Sequence, residues 1–170
     1  LSLPDCFATA RLRAEKLDEG HLSDLTALHL DEDASRFLGG VRSPEATRAY
    51  LDVSLAHWDR HGFGLYALMD GTGAFAGRAG VRHVMVEETP ELEIAYAFAQ
   101  PFWGRGLASE IAEALTARAL AALRPASLVG VVMIGNAPSC RVLEKTGYTF
   151  ERQVNFHEAP CRLYRVRPSA

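Results

Sequence analysis

The chain has 170 residues, of which 48% are hydrophobic and 23% charged, and its net charge is -3. That length suits one domain, residues 1–170, with a real core, and the composition is globular, neither disordered nor collagen-like. The slight acidity argues against a dedicated nucleic-acid binder, and no apolar run reaches the ~18 residues of a membrane span.

Residues 7–17 alternate partly between apolar and polar and read as a first strand, turned by Asp18 to Gly20. Leu22, Leu25, Leu28 and His29 mark one face of a short helix, and residues 33–38 suggest a second helical piece stopped by Gly39 and Gly40. Ser43 is an N-cap, Pro44 takes the first helical position, and a helix carrying Ala49, Tyr50, Val53 and His57 ends near Arg60. Residues 63–69, 74–86 and 92–98 read as three strands joined by a hairpin at 70–73 and a turn at 87–90, with a bend expected at Gly77 or Gly80. Short turns between neighbouring strands argue for an antiparallel meander and against a Rossmann sheet. Leu107, Ile111, Leu115 and Ala119 recur at helical spacing through the alanine-rich stretch 106–123, which Pro125 ends. Residues 128–134 read as a central strand, Asn136 caps a helix closed by Gly147, and two last strands follow at 148–157 and 161–166, joined by a turn containing Pro160.

Several residue groups could carry chemistry. Trp103, Gly104, Arg105, Gly106, Leu107 and Ala108 lie between a strand and a strong helix. Two glycines allow a sharp turn, the free N–H groups of the first helical turn form an anion nest, and Arg105 adds a cation, so phosphate is the natural guest. Gly71 to Ala76 fits a dinucleotide pattern, but residues 77–84 read as strand, so no helix N-terminus stands beneath a pyrophosphate. His57 and His61 stand one helical turn apart, yet no third ligand is apparent in the sequence. They read as a helix end, and no metal is expected. Asn136 and Ser139 open a helix at the same sheet end as the glycine turn, provided the strands before them are parallel neighbours. Glu93 is a carboxylate in a hydrophobic strand: it either lines the resulting cleft or faces solvent at an edge. Cys6, Cys140 and Cys161 are widely spaced with no Cys-x-x-Cys pair, which argues against a disulfide scaffold or structural zinc. No secretory leader is visible, and a cytoplasmic location is expected.

Taken together, the segments 9–13, 36–40, 91–96, 101–110 and 136–148 make the chain resemble a GCN5-related N-acetyltransferase, in the branch of the ribosomal-protein N-terminal alanine and serine acetyltransferases. The resemblance implies an α/β (α+β) fold: a mixed, mostly antiparallel sheet of seven strands with about four helices, splayed between strands 92–98 and 128–134. It implies acetyl-CoA as cofactor, with Trp103 and Gly106 in the acyl-CoA loop and backbone N–H groups from Gly104 to Ala108 holding the pyrophosphate. Phe98 and Asn136 would contact the cofactor arm. Ser139 matches a hydroxyl near the CoA sulfur, and Glu93 matches a carboxylate that serves as base in some relatives. Many relatives carry a tyrosine four residues after the serine; this chain has Leu143. The implied activity is direct acetyl transfer to a primary amine, a protein N-terminus or a small molecule, with a homodimer expected and neither nucleic acid nor membrane as partner. A non-catalytic acyl-CoA sensor of the same fold, or an unrelated phosphate-binding module, remains an alternative.

Overall fold

The computed structural model describes residues 1–169. Its strands are β1 (Cys6–Ala8), β2 (Arg13–Lys16), β3 (Leu65–Met69), β4 (Phe75–Val86), β5 (Thr89–Phe98), β6 (Leu128–Met133), β7 (Thr149–Phe156) and β8 (Ala159–Val166). The helices are α1 (Leu22–Leu30), α2 (Glu32–Ser35), α3 (Pro44–His61), α4 (Leu107–Leu123) and α5 (Ala137–Lys145). One eight-stranded sheet runs β1-β2-β3-β4-β5-β6-β8-β7, and every neighbouring pair is antiparallel except β5 and β6.

The mixed, mostly antiparallel sheet and the strand meander agree with the expectation, and the count rises by one strand. The stretch read as a single first strand is two: Thr9 N–H donates to the Leu12 carbonyl and Leu12 N–H donates to the Thr9 hydroxyl, folding 9–12 into a turn between β1 and β2. The last hairpin also turns earlier than expected. His157 and Glu158 adopt left-handed backbone (φ 48° and 62°), while Pro160 lies within β8 opposite Asn155. A second hairpin of this kind, at Glu87 and Glu88 (φ 45° and 68°), lacks the usual Asn-Gly signal. There the Glu87 carboxylate accepts from the Asn155 N–H and from Arg152, which ties the turn to β7.

Local signals place the helices. Ser43 Oγ accepts from Ala46 N–H, Pro44 opens α3, and Gly62, left-handed at φ 73°, closes it by donating to the Trp58 carbonyl. Along β3 side chains alternate between the two layers. Tyr66 and Leu68 pack with Ile111 and Leu115 of α4, whereas Leu65, Ala67 and Met69 pack with Leu25 of α1 and Leu51 of α3. All five β3 residues are therefore buried. α4 and α5 cover one face of the sheet; α1 and α3 cover the other.

The β5–β6 pairing positions the site. Only Glu93 and Val129 are paired between these strands, near the start of β6 and the middle of β5. Toward their C-terminal ends the strands part, and there the chain enters α4 and α5. β3 and β4, by contrast, approach very closely: a Cβ on Gly80 would stand 2.2 Å from the Gly64 carbonyl oxygen and 2.6 Å from Leu65 Cα. Backbone cannot yield as a side chain tip can. Gly80→Ala is therefore expected to destabilise the fold by ~3 kcal/mol or more, read as a lowered midpoint in urea unfolding.

Candidate active site

The opening between β5 and β6 reaches both faces of the sheet. Ala95 and Tyr96 are neighbours on an interior strand and so point to opposite faces, yet both keep partial solvent exposure. At this level the protein is open above and below.

At the α4 end of the opening, the turn expected from the glycines is present. Gly104 and Gly106 are left-handed, at φ 72° and 74°. Gly106 is the N-cap of α4 and has no side chain to offer, so no side-chain cap occupies the first-turn N–H groups of Leu107 and Ala108. Trp103 donates its indole N–H to the Phe98 carbonyl at 2.7 Å and is half exposed, while the Phe98 ring is buried in the α4-side core. The Arg105 guanidinium lies over the Phe102 ring, 5.4 Å from its centroid.

Sequence reasoning missed the brace that holds this turn. Arg11, in the β1–β2 turn, donates to the Arg105 carbonyl at 2.7 Å and to Glu110 at 2.9 Å. Glu110 also accepts from the Thr9 hydroxyl at 2.7 Å and sits in the first turn of α4, where the helix dipole favours a negative charge. Partial burial works to raise the Glu110 pKa, but hydrogen bonds from Thr9 and Arg11 outweigh it and hold the carboxyl below its usual value. These partners are about a hundred residues away along the chain, and no local pattern marks them.

At the α5 end, Asn136 Oδ1 accepts a long hydrogen bond (3.4 Å) from Ser139 N–H, so helix capping is one of its functions. Ser139 Oγ lies 3.0 Å from the Tyr96 hydroxyl. Burial raises the Tyr96 pKa well above its ordinary value and keeps the phenol protonated. A tyrosine thus does reach this serine, from β5 and not from the helical position four residues after it. Leu143, in that helical position, is buried and packs on β6 where Gly130 leaves room: a Cβ at 130 would meet Leu143 Cδ1 at 2.6 Å. Tyr96 stands three residues after Glu93 in a strand, and that odd spacing is the sequence signal that the two face opposite ways.

Glu93 lies on the α3 face. β5 is interior and Glu93 is buried, so the solvent-facing edge reading is replaced by a buried, paired carboxylate. Glu93 Oε2 accepts from Arg82 Nε at 2.9 Å, and the two residues are directly opposite in the β4–β5 register. Arg82 also donates to the Tyr50 hydroxyl at 3.3 Å. The other Glu93 oxygen has no hydrogen-bond partner among the described residues. Ser139 with Tyr96, and Glu93 with Arg82, therefore stand on opposite faces of one opening.

Other groups fall outside it. Gly71 to Gly73 form the β3–β4 hairpin, as its sequence context indicated. His57 and His61 gain a third neighbour that the sequence did not reveal, His83 of β4, with ring nitrogens of all three within 4.8 Å of one another. His57 Nδ1 lies 2.8 Å from the Phe63 carbonyl, and its Nε2 accepts from the His83 backbone N–H at 3.1 Å. The same Nε2 lies 3.1 Å from His83 Nδ1, so His57 joins α3 to β4 through both the backbone and the ring of His83.

Comparison with known proteins gives concordant results. A family model described as an acetyltransferase (GNAT) domain matches residues 11–149. The Bacillus subtilis protein YkkB is 26% identical over 160 residues, which is 93% of each chain. The structure of an acetyltransferase from Agrobacterium tumefaciens superposes with a TM-score of 0.87 at 26% identity, covering 99% of this chain and 96% of that one. RimL, a ribosomal L7/L12 alpha-N-protein acetyltransferase solved in complex with coenzyme A, superposes with a TM-score of 0.79 over 95% of this chain and 97% of its own. At 20% identity that last likeness is one of fold.

The brace on the glycine turn makes a pH test. A carboxylate whose pKa is lowered by folding contributes stability above its unfolded value of about 4.3, and the contribution is lost as pH falls through the folded value. Thermal unfolding of wild type and Glu110→Gln is therefore expected to differ at pH 7, with wild type more stable, and the gap is expected to close as pH falls from about 5 to 3.

Proposed function

The chain belongs to the GNAT acetyltransferase family, and from that premise we propose that it carries the acetyl group of acetyl-CoA directly to a primary amine within a ternary complex. The observation that carries this reading is the β5–β6 pairing that stops after Glu93 and Val129, with an uncapped helix N-terminus and its glycine turn at the open end. The site fits a CoA-type ligand in two respects. The left-handed Gly104 and Gly106 form an anion cradle, and the parted strands leave a slot whose edges can take an extended chain.

In this reading, backbone N–H groups of Gly104, Arg105, Gly106, Leu107 and Ala108 bind the pyrophosphate, and Arg105 adds charge. Trp103 and Phe98 wall the slot, and Asn136 turns its amide N–H₂ toward the pantetheine arm. When bound, acetyl-CoA supplies an activated thioester carbonyl. Glu93 takes the proton of the incoming amine on the oxygen that Arg82 leaves free, and Arg82 holds the carboxylate in place. From the opposite face Ser139, oriented by the protonated Tyr96, donates a hydrogen bond to the departing sulfur. Holding the two reactants in one opening provides the remaining acceleration. The exposed sheet edge β7, where Phe150 is 47% exposed, is the surface we assign to dimer formation.

Acetyl transfer to a panel of amines, followed by release of free thiol, tests the reading. Initial-velocity lines are expected to intersect, as direct transfer requires; parallel lines would indicate an acyl-enzyme, and binding without turnover a sensor. Glu93→Gln is expected to lower turnover by ~10²-fold or more with CoA affinity retained, most strongly below the amine pKa, where a proton must be removed. Gly106→Val, which forces a β-branched residue into left-handed backbone at the cradle, is expected to weaken CoA binding at least tenfold (about 1.4 kcal/mol) in calorimetric titration of folded protein.

A further inference from the structure

On the α3 face of the opening, positive charge exceeds negative charge in a buried setting. Arg78 of β4 is 2% exposed and lies over the Tyr50 ring at 4.9 Å; Arg42 lies over the same ring at 5.1 Å; Arg82 binds the Tyr50 hydroxyl. Arg78 forms no ion pair among the described residues, and the nearby carboxylate of Glu93 is ion-paired with Arg82. Four buried side-chain nitrogens lack a hydrogen-bond partner among the described residues, and three of them are here: Arg78 Nε, Arg42 Nη1 and His29 Nε2. A buried guanidinium with no anion is costly, and burial together with the like charges of Arg82 and Arg42 presses Arg78 toward losing its proton. His29 adds no negative charge; burial and then the charges of Arg78 and Arg42 bring its pKa to about 3, so it is a neutral ring.

The cluster borders the reacting centre. In the β4–β5 register Arg78 faces Ala97 and Arg82 faces Glu93, so the two residues flank Gly80 on the strand and share the face of Ala95, the partly exposed residue opposite Gly80 at the mouth of the opening. We infer that the acceptor amine carries an oxyanion, a carboxylate or a phosphoryl group, which Arg78 and Arg42 receive beside Tyr50 while Glu93 faces the amine. This rests on the acetyl-transfer reading for the identity of the reaction, but not for the existence of the anion site. An oxyanion satisfies several guanidinium N–H groups at once and supplies the charge that the fold leaves out. Arg78 and Arg42 are binding residues here, and the selectivity they impose is distinct from proton removal by Glu93.

Two acceptor pairs that differ only in charge test the inference. One is an amino acid against its carboxamide; the other is a phosphorylated amino alcohol against the free amino alcohol. The charged member of at least one pair is expected to be preferred by ~10²-fold or more in kcat/KM, and which pair responds tells carboxylate from phosphoryl. Arg78→Met keeps length and apolar bulk. It is expected to erase the preference by raising KM for the charged member, with a Tm equal to or above that of wild type because an unpaired buried charge has gone. A lowered Tm with the preference intact would mark Arg78 as a packing residue and overturn the inference. A second arm measures thermal shifts without acetyl-CoA, using the same charged compounds and inorganic phosphate. A rise in wild type that Arg78→Met abolishes supports the site even if no amine is acetylated, in which case only the transfer reading fails. No shift together with equal rates in both pairs overturns it.

Discussion

Beyond Glu93 and Val129, the facing edges of β5 and β6 carry backbone N–H and C=O groups that no strand satisfies. Such groups are obligatory hydrogen-bonding partners, and an unpaired edge inside a sheet calls for something extended to lie along it. Most features of the site stem from this interruption. α4 and α5 start where the strands part, so two helix N-termini converge on one opening. Residues 95 and 96, which a continuous interior sheet would bury, reach solvent on both sides. A chain with alternating amide donors and acceptors suits the gap; a flat, rigid ligand could use only one edge.

Strand alternation then divides the chemistry. Glu93 and Tyr96 are close in sequence and belong to different layers, one tied to Arg82 and Tyr50, the other to Ser139. In the proposed reaction, a carboxylate on one face and a hydroxyl on the other would flank the same opening without neutralising each other, because the sheet separates them. The same geometry separates the glycine turn at Gly104 and Gly106 from the arginines around Tyr50. If both proposed anion sites are occupied, each would take its own anionic group on its own face.

What the sequence disclosed were features fixed within a few residues. Ser43 and Asn136 declare themselves as caps, and the glycine pair declares a turn, because capping and left-handed backbone are local requirements. The meander was legible for the same reason, since hairpins join neighbouring strands. Arg82 opposite Glu93, Tyr96 beside Ser139, Arg11 on Glu110 and His83 beside His57 were not, because each depends on register or on packing between distant segments. The split of β1 from β2 turned on one threonine hydroxyl in a stretch whose alternation looked continuous. Pro160 misled because proline is read as a turn former, whereas here two left-handed residues make the turn and proline begins the return strand.

The lone bridge also has a mechanical meaning. On one side of it are five strands from β1 to β5, on the other the antiparallel trio β6, β8 and β7, and each block holds together by its own ladders. A sheet jointed at one point is compliant there and stiff elsewhere. Small rotations of one block against the other alter the width of the gap without breaking a second backbone ladder. Two kinds of contact cross the joint: Arg165 of β8 grips Glu91 of β5 at 2.7 Å, and one hydrophobic core joins Ile94 and Leu115 to Leu128, Val132 and Tyr164. The seam divides the sheet into blocks of five and three strands, and it runs between the starts of α4 and α5, so its width sets how far apart those two helix N-termini stand.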